Sequence, residues 1–464
     1  MIRAGAASVE ITPETDVQLA GAVGVRRPAR FIQDPLFAKA LVVESGSRKI
    51  CLVSLDLCVV TSGPVDEIRH SAANELGFDP NAIMIHATQT HSAPSLGNFM
   101  LSDDFQGLSP EFEWLRGGDA RYDAFAKPRI LEAIRQAEAG LECAHVGAAS
   151  AIEGRMAHNR RAVGRDGLVI MPGPSWALQD KSVGRGPLGP TKIRYMEGPM
   201  DPELGVVCFR RESLHLSALL VNYTCHPVHN FPKPCVSADW PGALSSELRS
   251  RYGAGCIPLV TNGACGNINP WPPFDPNYVE DQAVMGRILA ERVTAAVNTV
   301  EFKAEAEVDW RVRTVKIPLR EIDDRELEKA RDILGQNPQP VWNPQRTAVD
   351  VRWAMAAGLL DLYRLKQRSP EHEYEIQVFR IGDTAIVGLP GEPFVEGGLA
   401  IKLASPTYPT YVVHGVNSYV GYLPTKEAFA RGGHETATGN WSRLIPEALD
   451  IVVANAKEML LDLF

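Results

Sequence analysis

The feature that most constrains this fold is a series of short apolar runs, rich in β-branched side chains, that recurs along the whole chain. Runs of this length and composition are typical of buried strands. The runs are KALVVE (39–44), KICLVSLD (49–56), AIMIH (82–86), GVVCF (205–209), ALLVNY (218–223), IPLVT (257–261), YEIQVFRI (374–381), TAIVGL (384–389) and YVVHG (411–415). A chain with so many buried strands needs a large sheet, or more than one.

Amphipathic stretches of helical length lie between these runs. They cover 62–76, 123–139, 279–298 and 441–463. Strands and helices that alternate in this way predict an α/β protein. The segment EVDWRVRTVKIPL (307–319) alternates polar and apolar residues, which is typical of a half-exposed antiparallel strand. We therefore expect mixed, stacked β-sheets flanked by helices.

No repeat, low-complexity tract or linker interrupts the sequence. We therefore predict a single catalytic domain over 1–464, with 321–372 as a helical insertion. Two Gly- and Pro-rich loops, at 92–120 and 171–200, are longer than ordinary connections. Loops of this length in compact domains tend to be lids or binding loops.

The charge balance argues against nucleic acid and anionic membranes as partners. The 464 residues include 47 Lys and Arg against 56 Asp and Glu, a net charge of −9, and no long basic block supplies the positive surface that such partners need. No apolar stretch approaches the ~18 residues that span a bilayer, and the start MIRAGAASVEITPE lacks the apolar run of a signal peptide. We expect a cytoplasmic protein that binds a small molecule. The sequence does not indicate an oligomeric state.

The eight cysteines are scattered, and no two of them form a CxxC pair. Several lie inside the apolar runs. This usage predicts reduced core residues, not a disulfide framework.

Several predicted strands end directly in polar loops, three of which contain glycine. The loops are HATQTHSAP, TCHPVHN, TNGACGNINP, LPGEP and HGVNSYVGY. Ligands of α/β sheets bind outside the carboxyl ends of the strands, where such loops converge. A catalytic zinc site needs three protein ligands and an open position for water. His226, Glu392 and Tyr422 could provide one, with His91 nearby.

The order of these motifs resembles the neutral, non-lysosomal ceramidase superfamily. The resemblance is carried by GVRRPAR (24–30), TQTHSAP (88–94), NYTCHPV (222–228), SADWPG (237–242), NGACGNINP (262–270), LPGEP (389–393) and NSYVGYLPTKEAF (417–429). It implies an α/β catalytic domain with a buried zinc site. We expect no C-terminal immunoglobulin-like domain of the kind that true ceramidases carry.

The resemblance places His226, Glu392 and Tyr422 at zinc-ligand positions, but the fourth ligand position departs from the family. The family has His-Thr-His where this chain has Gln89, Thr90 and His91. An amide oxygen in place of an imidazole shifts metal preference toward harder cations, so Mn and Mg compete with Zn. Either Gln89 or His91 would complete the set.

Two further departures concern the catalytic groups. The family's serine nucleophile is replaced by Asn269, and its oxyanion-binding tyrosine is replaced by His434. An amide cannot attack as a hydroxyl does, whereas a histidine can donate a hydrogen bond or move a proton. Arg160 resembles the family's arginine beside the site, and Glu435 could orient the His434 ring. The expected catalytic residues are thus His434, Asn269, Arg160 and His91.

These features predict a metal-dependent hydrolase that uses metal-activated water and is not a true ceramidase. Its expected substrate is a polar soluble amide, ester or lactone, with sugar-derived compounds among the candidates. The alternative enzyme is a metal-dependent lyase or isomerase of a sugar-acid-like metabolite. The alternative without catalytic activity is a ligand-binding protein. Stoichiometric bound metal would favour the two enzymes.

Other catalytic signatures are missing from the sequence. There is no GxGxxG after a strand, no GxxxxGK[ST] loop, no GxSxG elbow and no HExxH helix, so nucleotide-dependent, serine-hydrolase and zincin chemistry have no support. Arg26, Arg27 and Arg30 form a basic cluster. We interpret it as a solvated turn, although at a pocket mouth it would suit a carboxylate or phosphate.

Overall fold

The computed structural model describes residues 1–171, 185–186, 189–190, 193–272, 275, 278 and 281–464. The strands in these ranges are β1 (Ile2–Glu10), β2 (Phe31–Ile32), β3 (Phe37–Ser45), β4 (Arg48–Leu55), β5 (Ile83–Ala87), β6 (Glu142–Ile152), β7 (His158–Asn159), β8 (Ala162–Gly164), β9 (Val169–Ile170), β10 (Arg185–Gly186), β11 (Gly189–Pro190), β12 (Ile193–Met196), β13 (Glu203–Arg211), β14 (Leu216–Tyr223), β15 (Cys235–Val236), β16 (Ile257–Asn262), β17 (Ile268–Asn269), β18 (Val308–Pro318), β19 (Glu371–Ile381), β20 (Thr384–Gly388), β21 (Glu392–Pro393), β22 (Thr410–Val413) and β23 (Tyr422–Leu423).

The helices in the same ranges are α1 (Ser62–Leu76), α2 (Ala120–Ala139), α3 (Asp239–Tyr252), α4 (Gln282–Val297), α5 (Asp324–Gln336), α6 (Val351–Arg368), α7 (Val395–Ala404), α8 (Lys426–Arg431) and α9 (Ala448–Leu463). Short 3₁₀ helices lie at Pro80–Ala82, Pro110–Arg116 and His434–Thr436. In the described parts of the chain, no helix is both long enough and apolar enough to cross a membrane.

Two mixed sheets form the body of the protein. The larger has eight strands in the order β16-β14-β13-β6-β1-β3-β4-β5, and the smaller has four in the order β18-β19-β20-β22. Most neighbours are antiparallel, but β4 and β5, β14 and β16, and β20 and β22 pair in parallel. The predicted half-exposed strand at 307–319 is β18, which pairs antiparallel with β19 along its whole length. The prediction of mixed sheets is confirmed.

The two sheets pack face to face, and helices cover their outer faces. Side chains of β3, β4, β13 and β14 interlock with side chains of β19, β20 and β22 in one buried cluster. Helices α1 and α2 cover one part of the larger sheet, and α3 and α4 cover another. Helix α9 covers the smaller sheet. Each layer buries its apolar face against the next, so the predicted arrangement of stacked sheets flanked by helices is confirmed.

Helices α5 and α6 lie within 321–372, and one buried carboxylate ties α6 to the long loop at 92–120. Asp361 accepts hydrogen bonds from the backbone N–H of Ser102 at 2.7 Å and from its hydroxyl at 2.6 Å. The side-chain amide of Asn440 donates to the same carboxylate at 2.7 Å. The helical segment, the loop and the segment before α9 are therefore held together.

Local signals account for where several helices begin and end. The stretch predicted at 62–76 is α1 from end to end, and Gly77 closes it in the left-handed conformation with φ 68°, which glycine adopts without strain. The predicted helix at 441–463 begins only at Ala448. Pro446 disfavours helical conformation at the residue before it, and Ser442 and Leu444 form isolated β-bridges instead.

Other details differ from the sequence predictions. Strands β1 and β6 were not predicted, because alanine and glycine replace the β-branched residues that mark the other strands. Helix α2 begins at Ala120, ahead of the predicted start at 123.

All eight cysteines are free, as predicted, but Cys143 is exposed and not a core residue. Of the predicted binding loop at 171–200, residues 172–184, 187–188 and 191–192 lie outside the described ranges.

A prediction concerns the contact between the two sheets. Gly205 of β13 packs against Tyr411 of β22, and a Cβ at Gly205 would lie 1.9 Å from Cε1 of that ring. Tyr411 is buried and its hydroxyl donates to the carbonyl of Ala149 at 3.0 Å, so a shift of the ring would break this hydrogen bond. Gly205→Ala should lower the free energy of unfolding by about 1–3 kcal/mol, measured by urea denaturation.

The control is Gly63→Ala, because no atom lies within 4 Å of a Cβ at this helical position. This variant should keep or slightly raise the stability. Equal stability of the two variants would contradict tight packing between the sheets at Gly205.

Candidate functional site

Two buried side chains with unpartnered atoms face each other at the ends of the two sheets. His226 follows β14, and its Nδ1 lies 2.7 Å from the carbonyl oxygen of Cys265 and 3.1 Å from that of Ile268. Nδ1 therefore carries the proton, and Nε2 presents a lone pair. Nε2 lies 3.3 Å from Oε2 of Glu392. Neither of these two atoms has a hydrogen-bond partner among the described residues.

Backbone pairing places Tyr422 beside Glu392. Strands β21 and β23 run parallel, with Glu392 and Tyr422 as register partners. The Glu392 N–H donates to the Gly421 carbonyl at 2.9 Å. Gly391 makes this approach possible: its φ is +71°, and a Cβ there would lie 2.4 Å from the Gly421 oxygen. The glycine of LPGEP thus lets the two strands meet.

The second carboxylate oxygen of Glu392 is held by a tyrosine. Tyr419 donates its hydroxyl to Oε1 at 3.1 Å, which leaves only Oε2 directed at His226. The Tyr419 ring packs edge-on against Phe99 from the 92–120 loop, with 5.2 Å between ring centroids. The long loop therefore supports the position of Glu392.

His91 lies beside His226, and Gln89 lies beside Cys265, whose carbonyl oxygen is close to His226 Nδ1. Gln89 has a left-handed backbone with φ 69°, and its Oε1 lies 3.7 Å from Cys265 Sγ. The His91 ring is edge-on to the His226 ring, with 5.5 Å between centroids. A Cβ on Gly21 would lie 2.4 Å from His91 Nδ1, so the bare backbone at Gly21 makes space for the His91 ring.

Arg27 corrects the interpretation of the basic cluster as a solvated turn. Arg26 and Arg30 are exposed, but the Arg27 side chain is buried. Its guanidinium donates to the carbonyl of His91 at 2.9 Å and to that of Lys233 at 3.2 Å. Backbone carbonyls take the place of water around Arg27, which therefore anchors the His91 segment.

Arg160 contacts the remaining candidate site residues. Its Nη2 donates to the Gly266 carbonyl at 2.7 Å and to the Tyr422 hydroxyl at 3.3 Å. Its Nη1 lies 3.4 Å from Oδ1 of Asn269. His434 Nε2 lies 3.4 Å from the Arg160 Nη2 and 3.4 Å from the Tyr422 hydroxyl. The structure thus brings Arg160, Asn269 and His434 together around Tyr422.

A buried ion-pair network lies behind Arg160. Glu435 is fully buried and pairs through Oε1 with Nε of Arg160 at 3.0 Å and through Oε2 with Nη1 of Arg161 at 2.7 Å. Arg161 also pairs with Glu197. Burial by itself raises the pKa of Glu435, but His434, Arg160 and Arg161 together lower it to about 2. Glu435 is therefore charged at neutral pH.

His434 lies at the open edge of this group, with 46% of its side chain exposed. Its Nδ1 is 3.5 Å from Oε2 of Glu435. Desolvation lowers the pKa of His434, Glu435 opposes that shift, and Arg160 adds to it. His434 is the one candidate of this group that solvent reaches easily.

The chemistry of these donor atoms suits a divalent cation. Burial holds the pKa of His226 well below its usual range, so its Nε2 lone pair faces a carboxylate oxygen with no proton donor between them. Burial raises the pKa of Tyr422, Glu392 reinforces the shift, and Arg160 opposes it. Imidazole nitrogen with carboxylate and phenol oxygens makes a set that zinc and similar ions accept. Across the described ranges no group of three or more His, Cys, Asp and Glu side chains is placed to hold a metal, so the candidate set depends on Tyr422.

Sequence reasoning missed Tyr419 and Arg161. Tyr419 lies three residues before Tyr422 in NSYVGY, and Arg161 is the second arginine of HNRR. Their proximity to expected site residues was the available signal. Only the fold shows that one contacts Glu392 and the other Glu435.

Comparisons with known proteins bear on the fold. No family model matches the chain, and no curated protein matches it. A crystal structure of neutral ceramidase from Pseudomonas aeruginosa superposes on 100% of this chain and 74% of its own, with a TM-score of 0.71 and 18% identity. A ceramidase complexed with C2 superposes on 100% of this chain and 75% of its own, with a TM-score of 0.69 and 17% identity. The chain has a neutral-ceramidase-like fold, as the motifs predicted.

Glu392→Gln tests whether two lone pairs face each other. In chelator, the new amide N–H can donate to His226 Nε2 while the amide oxygen still accepts from Tyr419. The variant should then be more stable than the parent by about 1–3 kcal/mol, the cost of an unsatisfied buried polar group. Added Zn²⁺ or Mn²⁺ should raise the melting temperature of the parent and have little effect on the variant.

Glu396→Gln is the matched control, since Glu396 accepts a hydrogen bond from the Asn267 side-chain amide at 3.0 Å and does not pair with His226. It should respond to metal as the parent does. A lower melting temperature for Glu392→Gln in chelator would show that a proton already joins His226 to Glu392.

Proposed function

We propose that this protein is a metal-dependent hydrolase of a polar soluble amide, ester or lactone. The observation that carries the proposal is the pair of unpartnered atoms, His226 Nε2 and Glu392 Oε2, buried 3.3 Å apart. A protein that keeps two such acceptors together without a donor pays a desolvation cost. A bound cation removes that cost.

The ligands in this proposal are His226, Glu392 and Tyr422, with Gln89 and His91 as the neighbours that would complete the set. A divalent ion, most simply Zn, would supply Lewis-acid polarisation and bring the pKa of water toward neutrality. Cys265 and Ile268 fix the His226 tautomer through their carbonyls. Partners of this kind orient metal ligands.

The polar groups around Tyr422 are suited to hold and protonate a substrate. Asn269 directs its Oδ1 at Arg160, which leaves its amide N–H₂ to donate to a substrate oxygen. An amide is no nucleophile, so no covalent intermediate forms at Asn269. His434 is accessible to solvent at the edge of the group, where Nε2 can hold a proton for a leaving group.

The hydrolase class also draws support from the fold, because both solved neighbours are named ceramidases. A polar substrate fits better than ceramide, since Arg160 and His434 lie beside the Tyr422 hydroxyl and Asn269 lies beside Arg160. Metal analysis of protein purified without chelator tests the proposal most directly. A well-folded chain that binds no metal would favour the ligand-binding protein instead.

Activity on a panel of polar amides, esters and lactones should be lost in chelator and return with Zn²⁺ or Mn²⁺. The reason is that the chain offers no hydroxyl nucleophile at Asn269, so attack by water needs the ion. Full activity in a metal-free preparation would overturn the mechanism. Ceramide should not be turned over, and release of fatty acid from it would show that Asn269 does not prevent ceramidase activity.

His434→Ala should lower turnover by roughly 10²–10⁴-fold, the usual contribution of a general acid or base. Metal content and melting temperature should stay nearly unchanged, because His434 is half exposed and lies outside the ligand set. His70→Ala, an exposed histidine on α1, is the matched control and should keep full activity. Normal turnover in His434→Ala would remove His434 from the mechanism.

A further inference from the structure

Glu435 holds two arginines with separate oxygens, and the two arginines differ in how much they depend on it. Arg161 has a second carboxylate partner, Glu197, and also donates to the Gly432 carbonyl at 2.8 Å. Arg160 has no carboxylate other than Glu435 within ion-pair distance among the described residues. Loss of Glu435 would therefore leave Arg161 paired and Arg160 without a counter-charge.

The contacts of Arg160 define the plane of its guanidinium. Glu435 holds the Nε edge at 3.0 Å, and the Gly266 carbonyl holds Nη2 at 2.7 Å. With these two contacts in place, the Nη atoms are directed at Tyr422 and Asn269. The same carboxylate lies 3.5 Å from His434 Nδ1.

The backbone of the short segment before Glu435 lies very close to the ion pair between Glu435 and Arg161. Gly433 has φ +106°, and a Cβ there would lie 2.6 Å from Nη1 of Arg161 and 2.9 Å from Oε2 of Glu435. Only glycine allows the backbone to approach the ion pair this closely. The 3₁₀ turn at His434–Thr436 then carries His434 and Glu435 to the two sides of Arg160.

We infer that Glu435 is a positioning residue, which orients Arg160 toward Tyr422 and Asn269 and His434 toward the same group. The inference rests on the proposed function, since it assigns Glu435 a role in that site. Glu435 touches neither the proposed metal ligands nor a substrate. Its effect passes through Arg160 and His434.

The test compares Glu435→Gln with Glu197→Gln. Both substitutions remove one buried carboxylate from Arg161 and keep the shape of the side chain, but only the first removes the counter-charge of Arg160. If Glu435 were merely structural, both variants would lose stability and change nothing else. A positioning role predicts a change at Tyr422 in Glu435→Gln alone.

Cu²⁺ is the probe, because a tyrosine ligand gives copper a phenolate charge-transfer absorption band. The wild-type protein should show the band when titrated with Cu²⁺, and Tyr422→Phe should lose it. Glu435→Gln should shift or weaken the band, and Glu197→Gln should leave it unchanged. Where a substrate has been found, Glu435→Gln should also lower kcat by about 10–100-fold, the usual effect of a supporting residue, with little change in KM.

Failure of the inference and failure of the proposed function give different results. Absence of the band from wild-type protein would overturn the proposed metal set and, with it, this inference. A wild-type band that both glutamine variants leave unchanged would overturn the inference alone. If Glu435→Gln does not fold, Glu435→Asp provides the test instead. This variant keeps the charge but shortens the side chain by one methylene, so it should shift or weaken the band in the same way.

Discussion

The packing of the four-stranded sheet against the eight-stranded sheet is the constraint on which the site depends. His226 follows a strand of the larger sheet, and Glu392 follows a strand of the smaller one. Their 3.3 Å separation exists only while the sheets stay in register. Hydrogen bonds cross between the sheets at the same end, from the Asn222 amide to the Val412 carbonyl at 3.0 Å and from the His414 N–H to the Asn262 carbonyl at 3.1 Å. Interior packing is dense and transmits strain, so a shift of either sheet would separate the two halves of the site.

The charges buried behind Tyr422 make a different kind of contribution. Arg160, Arg161 and Glu435 are all buried, and removing ions from water costs several kcal/mol each. Mutual attraction roughly offsets that cost, so a buried ion pair is seldom more stable than apolar side chains of the same volume. Stability therefore does not explain why the network is there. Its direct consequence is geometric, since the carboxylate of Glu435 fixes one edge of Arg160 and leaves the other edge facing Tyr422 and Asn269.

The sequence predicted the elements of this structure better than their contacts. The apolar runs predicted most of the long strands correctly. The polar loops after these strands contain His91, His226 and Glu392, because ligands bind at the ends of strands in such sheets. Strands β1 and β6 were not predicted, because their alanine and glycine residues do not favour strand formation. These two segments are strands because they pair with neighbouring strands in the sheet. The sequence also did not predict the parallel register of Glu392 with Tyr422 or the burial of Arg27. Both features depend on contacts between segments that are distant in the chain.

The two halves of the site depend on the fold to different degrees. The half proposed to bind metal is built largely by backbone: two carbonyls fix the His226 tautomer, and strand register sets Glu392 beside Tyr422. The half proposed to meet the substrate is built by the side chains of Asn269 and His434, which lie in short end segments. Side chains of that kind can change without disturbing the sheets. A shared fold at 18% identity therefore constrains the half that is built by backbone and leaves the function open, because function is set by the groups grafted on a fold. In the proposed mechanism Asn269 and His434, more than the sheets that carry them, decide which bond the protein breaks.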